Sequence, residues 1–317
     1  MTAPSAMIIL MPVYEDVEAA AQLFVELRAT IMPAPYIVAV DDGSTRRPLT
    51  PDVLTSAGLD GVVLKLRRNV GHQRAIAIGL NYVGEHLAER SPVVVMDSDG
   101  EDVPTTIAAL VAPLAAGDTD VVVAKRGRRH ETMKFRGFYA LYMLVFNVLT
   151  GRRINFGNFM AFTPAAIRRL TVMQELWIHV AGAVLTSKLR IETVPIDRGP
   201  RYAGQSKMNF SALVLHGFRA LMVFAEDVLV RVGIACASIA ALSVAGVALT
   251  VFLKLIGFAT PGWFSIALGI LLLVLLQTGA LTLMTLMLSG VVRSGAVGLT
   301  DYRVFIDKVE RTGGDGQ

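Results

Sequence analysis

The sequence predicts an α/β domain with a mostly parallel sheet, continued by an amphipathic helix and two helices that cross a bilayer. Three observations carry that reading. Short β-branched runs alternate with segments of helical period over about the first two hundred residues, the pattern of parallel strands joined by covering helices. Several of these runs stop at acidic, glycine-bearing turns, Asp41-Asp42-Gly43-Ser44 and Asp97-Ser98-Asp99-Gly100 among them. Two apolar stretches, 228–253 with a single charge at Arg231 and 263–292 with none, each exceed the roughly 20 residues that span hydrocarbon.

Taken in order, residues 6–11 read as a buried strand that ends at Pro12, and 17–29 carry apolar side chains at helical spacing. A second strand, 36–40, runs into the Asp41-Asp42 turn, where Gly43 permits a backbone other residues resist. Residues 61–66 form a third strand, after which Asn69-Val70-Gly71-His72 opens a helix running through Leu80. Val93-Val94-Val95-Met96 is the fourth strand, and Pro104 suits the first turn of the helix after it. A fifth strand, 120–124, ends in Lys125 and Arg126. The basic run continues through Arg128, Arg129, His130, Lys134 and Arg136 to an apolar helix over 138–149. It is either a solvated face or a contact for phosphate or a lipid surface. The turn Asn155-Phe156-Gly157-Asn158-Phe159 precedes a short strand and a helix opened near Pro164, and 189–194 is a further strand. The glycine-punctuated stretch 198–207 could fold over an anion. Residues 209–227 read as an amphipathic helix on a membrane surface or, alternatively, as a core helix. His179, beside Trp177, reads as a packed histidine.

Hydrophobic residues make up 53% of the 317 and mean hydropathy is +0.54, an excess that membrane segments explain. The link 257–262 has no charge, whereas Arg219, Arg231, Arg293, Arg303 and Lys308 flank the apolar pair. By the positive-inside tendency both ends of this hairpin are cytoplasmic. No signal peptide is expected at the N-terminus, so the large first domain is expected in the cytosol. The single cysteine, Cys236, excludes an intrachain disulfide or a cysteine metal site. A net charge of +4 suits anionic head groups or phosphorylated ligands. The expected division is a catalytic-type domain over 1–208, a juxtamembrane helix over 209–228, a membrane hairpin over 229–292 and a cytoplasmic tail over 293–317, frayed from residue 312.

The acids carry the chemistry. Ligands of open α/β sheets bind at the carboxyl ends of strands, and Asp97 and Asp99 stand at such an end, one residue apart. Two oxygen donors at this spacing suit Mg²⁺ or Mn²⁺, which bridges phosphate oxygens. The plain alternative is an acidic turn that solvates a strand end.

The motifs Pro12-Val13-Tyr14-Glu15, Asp41-Asp42-Gly43-Ser44, Asn69-Val70-Gly71, Asp97-Ser98-Asp99 and Arg201-Tyr202-Ala203-Gly204-Gln205-Ser206-Lys207, in that order and followed by an apolar hairpin, resemble the family-two glycosyltransferases of the Rossmann-like GT-A fold. More narrowly the chain is similar to dolichyl- or polyprenyl-phosphate glycosyltransferases. That resemblance implies that Pro12, Tyr14, Glu15, Asp41, Asp42 and Asn69 surround the nucleotide of a sugar donor. It further implies that Asp97 and Asp99, assisted by Glu101, hold the metal and diphosphate, and that Arg201, Ser206 and Lys207 close over the donor phosphates. Arg126, with Arg136, would meet an acceptor phosphate. Two departures stand out: Glu101 replaces a glutamine that many relatives carry, and Asn158 replaces an aspartate proposed as a base. Asparagine takes no proton, which suits a phosphate acceptor already charged at neutral pH.

The reaction the resemblance implies is metal-dependent, inverting transfer of a sugar from a nucleotide-sugar to polyprenyl phosphate at the cytoplasmic face of a membrane, bacterial inner membrane by type. Transfer to another lipid or glycan acceptor, or a non-catalytic scaffold that binds nucleotide sugar, are the alternatives. The expected partners are the donor, the lipid phosphate and the bilayer, with self-association left open and no nucleic acid.

Overall fold

The computed structural model describes residues 7–87, 91–126, 133–152, 156–202, 210–258, 262–294 and 300–313. The chain divides into two compact units, one of residues 1–132, 154–223 and 299–317, the other of residues 133–153 and 224–298.

The first unit is built on an eight-stranded sheet. Strands β1 (Ile8–Val13), β2 (Tyr36–Asp41), β3 (Gly61–Leu66) and β4 (Val93–Val95) alternate with helices α1 (Val17–Thr30), α2 (Pro51–Ser56) and α3 (His72–His86). Next come α4 (Ile107–Ala115) and β5 (Val121–Arg126). In the other unit lies α5 (Met133–Thr150), after which β6 (Phe156–Phe162), α6 (Pro164–Leu170), α7 (Val180–Thr186), β7 (Ile191–Ile196) and α8 (Phe210–Val223) return to the first. The strand order is β7-β5-β6-β4-β1-β2-β3-β8, where β8 (Ile306–Arg311) is added at one edge. β1 pairs in parallel with β2 and β4, β2 with β3, and β5 with β7. The pairs β4·β6, β5·β6 and β3·β8 are antiparallel.

Both faces of the sheet are covered, which is why its strands read as continuous apolar runs. Leu10, Val38, Val40 and Leu64 pack on one side with Ile76 and Leu80 of α3 and Val184 of α7. Ile9, Met11, Ile37 and Val63 pack on the other with Leu23, Phe24 and Leu27 of α1 and Leu110 of α4. The strands therefore deliver their carboxyl ends, and the loops that follow, to one edge of a rigid slab.

Within the tail expected over 293–317, residues 302–311 belong to the first unit, and 306–311 to its sheet. After a short 3-10 turn, Tyr302–Phe305, β8 lies antiparallel against β3, with Lys65 and Glu310 joined by an ion pair of 2.7 Å. Tyr302 and Arg303 both reach Glu85 of α3, and Phe305 lies against Trp177. An alternating, highly charged strand of this kind is an edge strand; its partner is distant in sequence, so no local pattern announces it.

In the second unit, α9 (Ala225–Leu255) and α10 (Trp263–Ser294) are long and apolar enough to cross a membrane. They pack on each other through small side chains, Gly233 against Thr285 and Gly246 against Leu271. A soluble core helix would be mostly buried. Here the most apolar windows of the two helices are only 11% and 0% buried, with Leu242, Leu255, Leu276 and Met287 facing outward. Arg231, the one charge of the first apolar run, donates to the carbonyl of Val148 in the last turn of α5 at 3.2 Å, where a cation complements the helix dipole. The break expected near residue 228 falls at Phe224, between α8 and α9. Within the first unit α8 seats Val223 against Gly182 of α7 and leaves Phe218 and Met222 exposed.

Candidate active site

Three loops meet at the carboxyl ends of β1, β2 and β4. At β2, Asp41 and Asp42 are both buried, and their carboxylates are occupied by backbone. Asp41 accepts from the amides of Ser44 and Leu49, each at 2.9 Å, and shapes the turn. Asp42 accepts from Val70 at 2.7 Å and Gly71 at 3.0 Å, tying this turn to the start of α3. Burial pushes the Asp42 carboxyl upward, against the opposing pull of those two amides. Gly43 lies between, at φ +71°, and a Cβ there would come within 2.5 Å of the backbone of Arg68 and Asn69. Glycine is therefore required twice over, by conformation and by closeness.

Glu15, itself at φ +49°, reaches across from β1. Its carboxylate accepts from the amides of Thr45 at 2.7 Å, Arg46 at 3.0 Å and Arg47 at 3.2 Å. These amides hold its pKa below the usual carboxylate range. Pro12 is buried at the end of β1, while Tyr14 and Asn69 are exposed on the rim. The residues that the sequence assigns to the nucleotide thus divide into two kinds. Glu15, Asp41 and Asp42 hold loop backbone in shape, Pro12 is buried beneath them, and Tyr14 and Asn69 stand on the surface those loops form.

The loop after β4 carries the acids. The Asp97 amide donates to Asp102 at 2.9 Å, and the Glu101 amide donates to Asp99 at 3.0 Å, so the loop folds around its own carboxylates. Two arginines from the segment after β7 lie on them. Arg198 pairs with Glu101 and approaches Asp97 and Asp102 at 3.8 Å each. Arg201 lies 2.6 Å from Asp99 and 3.4 Å from Glu101. The backbone follows: Gly199 donates to the Glu101 carbonyl at 2.9 Å, Tyr202 to that of Asp99 at 3.0 Å, and the Tyr202 ring covers Gly100. Burial and the neighbouring Asp97 charge raise the Asp102 carboxyl to about 7, and burial likewise raises Asp99. Among the described residues no three side chains of the ligating types converge as a finished metal centre. The donor set nevertheless fits a hard cation. Mg²⁺-type sites use one or two carboxylates and leave the remaining positions to water and substrate phosphate, and Asp97 and Asp99 are oxygen donors of that kind. The guanidinium groups of Arg198 and Arg201 lie against these same acids.

A polar chain links the acid loop to β6. The Val180 amide donates to Gln73 Oε1 at 2.8 Å, and Gln73 Nε2 donates to Asn158 Oδ1 at 3.0 Å. Asn158 Nδ2 lies 2.9 Å from His72 Nε2, which in turn lies 3.1 Å from Asp97 Oδ1. Partial desolvation of the half-exposed His72 ring is outweighed by the attraction of Asp97, with Asp42 and Asp102 behind it, which raises its pKa. A small hollow lined by Glu101, Asp102, Ala124, Gly157, Phe159 and Ile196 opens beside Arg198.

The structure brings Asp97, Asp99, Glu101 and Arg201 together, and links Asn158 to them through His72. Arg126 is the last residue of β5, and Ser206 and Lys207 lie outside the described residues. The sequence reading gave no role to His72, Gln73, Asp102 or Arg198. The first two directly follow the quoted Asn69-Val70-Gly71 motif, Asp102 ends the acidic stretch and Arg198 begins the glycine loop, so position was the one signal each offered. His179 is buried and accepts from the Gly182 amide at 3.1 Å, capping α7, in line with a packed histidine.

The model of the family described as "Glycosyl transferase family 2" matches residues 8–177, more than half of the chain. The chain belongs to glycosyl transferase family 2. It is a glycosyltransferase, its first unit is the GT-A fold, and the loops above occupy the matched span except for the arginine segment. An uncharacterised glycosyltransferase of Synechocystis is 26% identical over 276 residues, covering 84% of this chain and 84% of that protein. The dodecaprenyl-phosphate galacturonate synthase of Rhizobium johnstonii is 24% identical over 220 residues, 64% of this chain and 62% of the relative. Among solved structures, glucosyl-3-phosphoglycerate synthase of Mycobacterium tuberculosis, in complex with Mn²⁺, UDP-glucose and phosphoglyceric acid, is similar at 17% identity and a TM-score of 0.49, over 71% of this chain and 79% of that one.

Proposed function

We propose that this family 2 member transfers a sugar from a nucleoside-diphosphate sugar to a polyprenyl phosphate at the cytoplasmic face of a membrane, with inversion at the anomeric carbon. The observation that carries the acceptor is Asn158. It sits one side chain from Asp97 with its amide hydrogen-bonded to Gln73 and His72, where a carboxylate base would otherwise stand. A sugar or lipid hydroxyl must lose a proton to attack. A phosphomonoester, with a second pKa near 6, arrives as a nucleophile. A relative named for making a dodecaprenyl-phosphate sugar supports the same acceptor class.

In this reading the donor's nucleotide lies on the surface formed by the Glu15, Asp41 and Asp42 loops, with Tyr14 and Asn69 at its rim. Asp97 and Asp99 would hold Mg²⁺ or Mn²⁺, with Glu101 adjacent. The bound cation neutralises charge on the leaving diphosphate. Arg198 and Arg201, which lie on these acids, would supply positive charge to the diphosphate, and Ser206 and Lys207, later in the same stretch of sequence, are assigned to it as well. Arg126, at the end of β5, is assigned to the acceptor phosphate. The two outward-facing apolar helices keep the enzyme where its acceptor resides, because the polyprenyl chain does not leave the bilayer. Cationic flanks and an uncharged link support cytoplasmic ends for that hairpin, and an even number of crossings returns β8 to the same side as the sheet.

A second reading has one observation in its favour. His72, 2.9 Å from Asn158, could take a proton from a hydroxyl acceptor on another lipid or glycan. Incubating the detergent-solubilised chain with Mn²⁺, labelled sugar nucleotides and polyprenyl phosphate, then extracting with organic solvent, separates the two. Label carried into the organic phase with the phosphate and not with the free polyprenol is the expected result. Transfer to the alcohol, or none to the phosphate with any donor, overturns the proposal.

A further inference from the structure

The segment that carries Arg198 and Arg201 is clasped to the acid loop. Gly199 and Tyr202 donate to the carbonyls of Glu101 and Asp99, at 2.9 Å and 3.0 Å, so the stretch 199–202 runs along 99–101 and is bonded at both ends. Position 199 has no room for a side chain: a Cβ there would come within 2.8 Å of the Val103 side chain. Gly100, at φ +84°, is bare for a different reason, because the Tyr202 ring fills the space where its Cβ would stand, 2.3 Å away. The Tyr202 hydroxyl then reaches past the loop and donates to the carboxylate of Glu26 on α1. Leu23, Phe24 and Leu27 of that helix are buried in the core under the sheet. The arginine segment is thereby joined to the rigid slab as well as to a neighbouring loop.

We propose that Tyr202, tethered to Glu26, is a positioning residue that holds Arg198 and Arg201 at the acid loop for the diphosphate of the donor, without touching the ligand itself. Arg201 directly precedes Tyr202 and Arg198 directly precedes Gly199, so both guanidinium groups spring from the clasped stretch and share its anchorage. A phenol that donates to a carboxylate makes a charge-assisted bond, stronger than a neutral one. Long arginine side chains lose rotamer freedom when they grip a ligand, and a backbone already fixed leaves less to be lost. The tether therefore acts on the phosphate end of the nucleotide and not on the Glu15 and Asp41 loops, which receive no bond from it. Phenylalanine at position 202 keeps the ring over Gly100 and removes only the bond to α1, which separates tethering from the filling of space. The assignment rests on the proposed donor site.

The test is calorimetric titration of a nucleoside diphosphate and of the matching monophosphate into the solubilised full-length chain with Mn²⁺. Wild type should favour the diphosphate. Tyr202→Phe should weaken diphosphate binding about three- to tenfold and leave monophosphate binding nearly unchanged, so that the ratio of the two affinities falls. Glu26→Ala should lower the ratio equally, and the double variant should be no worse than either single one, because all three remove the same bond. Glu26→Gln, which still accepts from the hydroxyl, should keep most of the wild-type ratio. A loss shared equally by both nucleotides, or a ratio unchanged in Tyr202→Phe and Glu26→Ala, overturns the tether and leaves the donor site standing. A wild type that binds the diphosphate no better than the monophosphate overturns both.

Discussion

Gly43→Ala separates two requirements at the turn after β2. The positive φ of +71° and the 2.5 Å approach to the Arg68 and Asn69 backbone both act against a side chain there. Conformation alone costs about 1 kcal/mol for a residue with a Cβ. The close approach adds about 1–3 kcal/mol, because the opposing atoms are backbone held by the Asp42 bonds to Val70 and Gly71 and no rotamer change relieves it. The total is about 2–4 kcal/mol. Gly58 supplies the control, with φ +69° but only the end of the Arg28 side chain nearby, at 3.7 Å. In a unit of this size 1 kcal/mol moves the melting point by about 2–4 °C. Fluorimetric melting at one heating rate should therefore show Gly58→Ala falling by about 2–4 °C and Gly43→Ala falling two to four times as far. Equal losses at the two positions would refute the tight seating of the turn on the Asn69 loop.

Other perturbations read other parts of the site. Glu15→Ala should weaken donor binding roughly three- to tenfold in calorimetry with little change in melting, since three amides of the 45–47 loop lose their acceptor. Those amides lower the Glu15 pKa, so in the wild type the latch is complete above the usual carboxylate range and is lost only as pH falls through that lowered value. The gap in donor affinity between wild type and Glu15→Ala should therefore stay constant down to about pH 5. Asp120, held at about 2 by Arg190, contributes stability that is complete above its unfolded pKa near 4 and disappears as pH falls through 2. Arg190 is 56% exposed, so solvent screening reduces the contribution to about 1 kcal/mol. The melting gap between wild type and Asp120→Asn should accordingly close on acidification from pH 7 to 2. Arg198→Ala should melt lower than wild type without metal, and should gain more from added Mn²⁺, because the ion no longer competes with a guanidinium for the loop acids.

Much of this architecture is legible in the sequence because a doubly covered sheet leaves strong marks. Val93 to Val95, Val121 to Val123 and their neighbours are apolar on both faces, and α9 and α10 need an uncharged length that nothing else explains. β8 escapes such reading. Its residues Ile306 to Arg311 are mostly charged, and their partner β3 is some 240 residues earlier in the chain. The site shows the same division. Residue types place Asp41, Asp42, Glu15, Asp97 and Asp99 at strand ends, but a carboxylate aimed at a ligand and one aimed at an amide look identical in one dimension. The His72–Asn158 contact joins residues 86 apart, and the Arg198 and Arg201 pairs reach about a hundred residues back to the acid loop. Only the meeting of the first residues of α3 with Asn158 of β6, and of the segment after β7 with the loop after β4, brings them together.

The most direct measurement is calorimetric titration of a nucleoside diphosphate into wild type and into Asp99→Ala, each with and without Mn²⁺. Binding should need both the ion and the aspartate, weakening at least tenfold when either is removed. Equal affinity in all four titrations would contradict a donor diphosphate held through a cation on the β4 loop.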